Sequence, residues 1–384
     1  MTVIEPWDRN VRRQLFKACC MAMTMLVPAT LLAAPAHARP VTRDEGLRKM
    51  YGQLVIKGFF GRSPRDASVR QVRTALEKSL IGGVIFFHKN IRNPKQVEAL
   101  TRYFRQASTP YTPIIAVDEE GGAVERLNRR KGFTYTPGHW RMQQRFDVQQ
   151  ARKRYDGMAK ELARAGFNTN FGPVVDLRLN PKNPIIARKY RSFGSHPLYV
   201  ARYAAAFIAA HEARAIGTAL KHWPGHGSSA SDSHLRFVDV TKQWQPVEIE
   251  PYRRLLRSGF SGMVMSSHLY HKDWGMGEGL PASLSPVAIK TRLRDELGFD
   301  GVVITDDLQM RAITSRRPLE QAIVQALKAG NDMVLIGNVL ASSPGNADYA
   351  VKAIEQGVRS GELSFKQLYR SWQRVMAYKA AIRR

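Results

Sequence analysis

Eight short β-branched or apolar runs recur along this chain, most of them separated by a longer amphipathic stretch. The runs fall at 53–59, 82–87, 112–117, 168–175, 216–220, 261–266, 301–305 and 332–336. Helical periodicity marks the stretches 93–107, 147–165, 197–214, 286–297 and 318–329. Strands that alternate with helices predict a parallel sheet, because each parallel crossover needs a connecting helix. Eight such units predict a single-domain (β/α)8 TIM-type barrel. The other arrangement of such units is an open doubly wound sheet, but no Gly-x-Gly-x-x-Gly follows the first run.

Polar clusters sit where the strands should end. His88-Lys89-Asn90 follows the second run, Asp118-Glu119-Glu120-Gly121-Gly122 the third and Asp176 the fourth. Lys221-His222 follows the fifth, Ser267-His268 the sixth, Asp306-Asp307 the seventh and Gly337-Asn338 the eighth. A parallel barrel gathers all these ends on one face, where such folds place their sites. Of Asp306 and Asp307, one should point inward, as nucleophile, base or metal ligand, and the other sideways, where it can cap the next helix. Asp118 and Arg126 flank a Gly-Gly pair that permits close approach of the backbone to a ligand. Arg191 lies in a polar break before the helix at 197–214. Each arginine fits either a ligand contact or a structural ion pair.

The stretch from Lys221 to His234 holds three histidines, a lysine, an aspartate and two glycines, a composition expected of a mobile catalytic loop. A core would not tolerate it, since each polar head needs a partner once it leaves water. Asp232 and His234, two apart, can hydrogen-bond in a turning loop; the pair is either a proton-transfer device or a local brace. His222 and His226 could share a metal only on a helix, which Pro224-Gly225 forbids. No metal or cofactor is therefore expected, and Lys221 and His222 read as donors to a polyhydroxylated ligand.

Fifty-nine Lys and Arg against 32 Asp and Glu give a net charge of +27. That excess favours polyanions, including an anionic cell envelope, but the cations are dispersed and no nucleic-acid motif accompanies them, so nucleic acid is not an expected partner. No stable protein partner is inferred either. Arg12, Arg13 and Lys17, the apolar run 18–34 and Ala36-His37-Ala38 have the layout of an export signal. Residues 1–38 are expected to be removed and 39–384 to form the barrel, placing the mature protein in the periplasm or outside the cell. Residues 12–17 resemble a twin-arginine motif. Both cysteines, Cys19 and Cys20, lie in this leader.

Taken together the motifs resemble the β-N-acetylglucosaminidases of glycoside hydrolase family 3. Those carrying the likeness are Val117 to Gly122, Asn170 to Asp176, Arg191 to Gly194, Lys221 to Gly227 with Asp232-Ser233-His234, and Gly298 to Leu308, in family order. The resemblance implies a retaining exo-acting enzyme on amino-sugar oligosaccharides from peptidoglycan or chitin. It assigns Asp306 as nucleophile and His234, oriented by Asp232, as acid/base. It gives Asp118, Arg126, Arg191, Lys221 and His222 the grip on the terminal sugar. The stretch after the eighth strand is too short for the second α/β domain of the family's β-glucosidases. Gly227-Ser228-Ser229 replaces the family's usual Gly-Asp-Thr, and Trp223 stands at its aromatic position. Two other outcomes fit the same pocket: a phosphorylase, and a saccharide-binding protein without catalysis.

Overall fold

A computed structural model describes residues 42–274, 279–338 and 348–382. The expected export segment, with Cys19 and Cys20, lies outside the described residues. Eight parallel strands close into a barrel: β1 (Val55–Gly58), β2 (Gly83–Phe86), β3 (Ile114–Val117), β4 (Thr169–Asn170), β5 (Gly217–Trp223), β6 (Met263–Ser266), β7 (Val302–Asp307) and β8 (Met333–Ile336). Each pairs with the next, and β8 returns to β1 with Val55 opposite Val334 and Lys57 opposite Ile336. All eight expected strands are present. The fourth is shorter than expected, because Pro173 has no N–H for the ladder; only Val174 rejoins it, opposite Lys221.

The strands read as continuous apolar runs because both faces are covered, the inner by side chains across the barrel and the outer by helices. Those helices form where the expected periodicity lies. Helix Pro94–Arg105 starts on Asn93, whose side chain accepts from the Gln96 N–H at 2.9 Å, and turns Val97, Leu100, Thr101 and Phe104 inward. Helix Val148–Arg164 opens on a reciprocal cap between Asp147 and Gln150. Edge-to-face contacts of Phe86 with Phe59, Phe104 and Phe167, at 4.9–6.0 Å, tie barrel to helices. Each buried ring contributes roughly 1.5–3 kcal/mol through removal from water. At the mouth of the β1–β8 seam the chains come so close that a Cβ on Gly58 would lie 1.7 Å from the Gly337 carbonyl oxygen.

Two departures from regular pairing shape that mouth. Between Lys221 and Trp223 β5 carries one residue more than β6, and between Ile304 and Asp307 β7 carries one more than β8. These are β-bulges, which re-aim side chains that strict alternation would send to opposite faces.

Candidate active site

Lys221 and His222 belong to β5 itself, which runs to Trp223 and not to residue 220. This corrects their expected place in a mobile loop. The strand can continue through them because counter-charges wait at the mouth, and the bulge lets both neighbours find partners. Lys221 Nζ donates to Asp118 at 2.9 Å and to Glu120 at 2.7 Å. Glu120 also receives Nε and Nη2 of Arg191, each at 2.8 Å, a bidentate pair with the carboxylate 1 % exposed. Burial pushes Glu120 up, but Arg191 and Lys221 more than reverse it, holding the carboxyl well below the usual range. Burial likewise pulls Lys221 down, and Asp118 and Glu120 raise it above its ordinary value. Glu120 and Lys221 therefore both hold their charge in this buried network. Arg126 Nη2 stands 3.6 Å from Asp118, while its buried Nε has no acceptor among the described residues.

His222 is set from below. Its Nδ1 lies 2.6 Å from Asp176 Oδ2, and Asp176 Oδ1 accepts the backbone N–H of both His222 and His226. Its Nε2 faces Arg191 Nη2 at 3.3 Å. Desolvation opposes ionisation of the buried Asp176, yet His222 and these N–H groups hold its pKa down.

Asp306 and Asp307 differ in their partners, and the expected cap on the next helix is not formed, since helix Arg311–Thr314 starts on Met310 with no side-chain cap. Asp307 turns sideways: its Oδ1 accepts from Gly337 and Gln309 N–H at 2.9 and 3.0 Å, clamping β7 to β8. Burial pushes it up to about 6 against those two bonds. Asp306 points into the mouth. Burial would raise it, but His268, His222, His234 and the Asp307 N–H bring it down to about 2. His268 is wholly buried between Ser283 Oγ at Nδ1, 2.7 Å, and the Asp307 carbonyl oxygen at Nε2, 2.9 Å.

Asp232 and His234 are hydrogen-bonded, Oδ1 to Nδ1 at 2.8 Å, and the same oxygen accepts the His234 N–H. The loop carrying them is docked on the segment that follows the nucleophile strand: Arg311 N–H donates to the His234 carbonyl and Ala312 N–H to that of Ser233. Its root is pinned as well. His226 links Ser229 Oγ, 2.7 Å, to Ser233 Oγ, 3.2 Å, and burial lowers its pKa to about 4, keeping it neutral. Ser228 donates its hydroxyl to Glu248, which also accepts the Gly227 N–H at 2.8 Å. The Gly-Ser-Ser departure is therefore part of a buried brace, with Glu248 pushed up by burial to about 7.

Every expected site residue thus lies at the mouth. Two clusters form, Asp118–Arg126–Lys221–Arg191–His222 and Asp306–Asp232–His234, and the fields of His222 and His234 at Asp306 join them. Sequence reasoning put Glu120, Asp176 and His268 among the clusters on the site face without giving them a role, and missed Glu248 altogether. For Glu120 a signal existed, since it stands two residues from Asp118 and extended chain puts i and i+2 on one side. Glu119 between them turns away and accepts the N–H groups of Arg126 and Leu127, shaping the loop.

Fold and site together define a parallel (β/α)8 barrel with an ionised carboxylate and an aspartate–histidine pair at its mouth. The Glycosyl hydrolase family 3 N terminal domain matches residues 47–378, and the chain belongs to that family. It is 31% identical to a beta-hexosaminidase A of Pseudoalteromonas piscicida, over 90% of this chain and 63% of that one. It is 36% identical to a beta-hexosaminidase of Alkalilimnicola ehrlichii, over 69% of this chain and 76% of the relative. A solved glycoside hydrolase family 3 beta-N-acetylglucosaminidase from a Paenibacillus species superposes with a TM-score of 0.79 at 32% identity, over 88% of this chain and 62% of that one. The chain therefore spans less than two thirds of the Pseudoalteromonas and Paenibacillus proteins.

Proposed function

We propose that this protein is a retaining exo-β-N-acetylglucosaminidase that releases terminal β-linked N-acetylglucosamine from peptidoglycan or chitin fragments. The observation that carries the reading is the placement of Asp306, kept ionised at the mouth among imidazoles, with the hydrogen-bonded Asp232–His234 pair docked on the chain just downstream of it. In the first step Asp306 Oδ attacks the anomeric carbon as the glycosidic C–O bond breaks, and His234 gives its proton to the departing oxygen. In the second a water attacks that carbon, His234 takes the water's proton, and Asp306 leaves. Two inversions give net retention. Asp232 orients the ring through Nδ1, which leaves Nε2 to carry the proton that is transferred. General acid catalysis of this kind is worth about 10²–10⁴-fold. Asp118, Arg126, Arg191, Lys221 and His222 grip the sugar hydroxyls, and the unpaired Arg126 Nε supports that role. The leader at 1–38 places the enzyme in the periplasm or outside the cell, where its cationic surface adheres to an anionic envelope.

The test is release of chromophore from aryl β-N-acetylglucosaminides by wild type, Asp306→Ala and His234→Ala. Asp306→Ala should abolish it; His234→Ala should lose most with a poor leaving group and least with a good one. Undiminished turnover in Asp306→Ala refutes the mechanism. A sugar phosphate as product when phosphate is added makes the protein a phosphorylase, and binding without turnover makes it a saccharide-binding protein.

A further inference from the structure

Helix Phe365–Ala381 lies across the end of the barrel where the strands begin, opposite the mouth. Tyr378 Oη is 3.0 Å from Thr169 Oγ1 at the head of β4, and Lys379 Nζ donates to the Gly82 carbonyl oxygen, just before β2, at 2.8 Å. Arg374 reaches Asp300 at 2.8 Å and Asp332 at 3.3 Å, just before β7 and β8. These contacts bury the face that carries Leu368, Ser371, Val375, Tyr378 and Lys379. The outer face of a helix docked in this way is ordinarily polar. Here it is not.

Phe365, Tyr369 and Trp372 follow one another at helical spacing, with ring centres 6.1 and 5.6 Å apart. Phe365 is 47% and Tyr369 43% exposed, so this end of the row does not serve the core. Lys366 and Arg370 stand beside them, both exposed and one helical turn apart, where like charges repel. Gln367 accepts from Lys290 Nζ at 3.0 Å, and burial and then the charge of Lys328 lower the Lys290 pKa. The helix itself holds no Asp or Glu. Among the described residues none of Lys290, Lys328, Lys366 and Arg370 forms an ion pair. Asp300 and Asp332 are taken up by Arg374, and Glu362 accepts from the Ser360 hydroxyl at 3.2 Å. Exposed rings thus adjoin cations without a counter-charge.

A second copy of the chain does not suit this face, because a two-fold axis would set Lys366 and Arg370 against their own counterparts. A hydrated anionic polymer would use the cations and leave the rings in water. An anionic bilayer satisfies both, since aromatic rings settle at the headgroup level and cations are drawn to the negative surface. We propose that the outer face of helix Phe365–Ala381 docks on an anionic phospholipid bilayer, with Phe365 and Tyr369 entering the headgroup layer and Lys366 and Arg370 meeting lipid phosphates. A bilayer on this face leaves the mouth, at the other end of the barrel, turned away from the membrane. With the function proposed above, the site then opens toward glycan that lies off the membrane. That consequence rests on the proposed function; the docking does not.

The experiment is co-sedimentation of the protein, as the cell exports it, with vesicles of phosphatidylcholine alone and of equimolar phosphatidylcholine and phosphatidylglycerol. Wild type should bind the anionic vesicles, and added salt should weaken the binding. Lys366→Gln with Arg370→Gln should weaken it roughly 10- to 30-fold, about 5-fold for each cation. Phe365→Ser with Tyr369→Ser should cost about 10-fold or more. The charge-matched control, Arg152→Gln with Lys153→Gln on the exposed side of helix Val148–Arg164, should cost less than about 3-fold. An environment-sensitive dye on Gln373→Cys should shift to the blue on the anionic vesicles, and the same dye on Lys153→Cys should not. Turnover of an aryl N-acetylglucosaminide should stay within about 2-fold of wild type in the four glutamine and serine variants at 365, 366, 369 and 370. No binding to anionic vesicles overturns the proposal, and so do equal losses in the helix and control pairs, which make adhesion a matter of net charge. Binding to purified wall polymer that the helix variants abolish, with vesicles ignored, also overturns it. A wild type that binds vesicles but turns over no substrate refutes the proposed function and leaves the docking standing.

Discussion

Glu120→Gln should be among the most damaging single substitutions that leave the shape of the pocket intact. The carboxylate is 1 % exposed and neutralises two cations, Arg191 through two bonds and Lys221 through one. A glutamine keeps the volume but removes the charge, and its NH2 group must face a donor it cannot accept from. Lys221 retains Asp118 at 2.9 Å, so the larger loss falls on Arg191, left with the Ile185 carbonyl at 3.1 Å and the His222 ring at 3.3 Å. Removing one partner of a buried pair typically costs about 3–5 kcal/mol. With a denaturant slope near 3 kcal/mol/M this predicts a fall of roughly 1–1.7 M in the urea midpoint. Displacement of Arg191 and Lys221 by an ångström should also lower kcat/KM on an aryl N-acetylglucosaminide by about 10²-fold. Asp118→Asn is the control: it holds one buried cation instead of two and is more exposed, so it should cost less stability. A double-mutant cycle between Glu120→Gln and Arg191→Met should show a coupling of about 2 kcal/mol. A cost below 1 kcal/mol for Glu120→Gln, or an equal cost for Asp118→Asn, would refute the assignment of Glu120 as the centre of the network.

His268→Leu removes the largest field that holds Asp306 down, and should move the acid limb of the kcat/KM profile to higher pH; an unmoved limb means that His268 only fills space. Glu248 is raised to about 7, so the stability tied to its protonated form is complete below the ordinary glutamate value and lost as pH climbs through about 7. Glu248→Gln, always neutral, should therefore gain on wild type in urea unfolding between pH 5 and pH 8, with a ceiling on the order of 3 kcal/mol; a pH-independent difference contradicts this. Phe86→Ala, which empties the centre of the aromatic cluster, should cost about 3–5 kcal/mol in the same assay.

The barrel was legible because its signal is repeated: eight apolar runs, seven of them followed by a polar cluster, can be satisfied together only if the strand ends meet. The Asp232–His234 bond was legible for another reason, since two residues of turning loop leave the carboxylate little choice of partner. What stayed hidden depends on partners far apart in sequence. His268 matters through Ser283 and the Asp307 carbonyl, Glu248 through Ser228 and Asp176 through the N–H groups of His222 and His226, and no local pattern announces such contacts. The neighbours Lys221 and His222 were misplaced for a subtler reason. Alternation would send them to opposite faces, so a loop was the natural reading of two adjacent polar residues that both serve the mouth. The extra residue in β5 removes that conflict, and the extra residue in β7 accompanies the division of Asp306 and Asp307 between the pocket and the β8 seam. Both strands that carry polar neighbours at the site are thus bulged where the site needs it. The irregularity follows from asking an eight-stranded barrel, whose side chains alternate, to present more charge at one rim than alternation allows. A bulge admits the added charge only because counter-charges from β3, β4 and their loops already stand opposite, which is why Asp118, Glu120 and Asp176 belong to the site as firmly as the residues they hold.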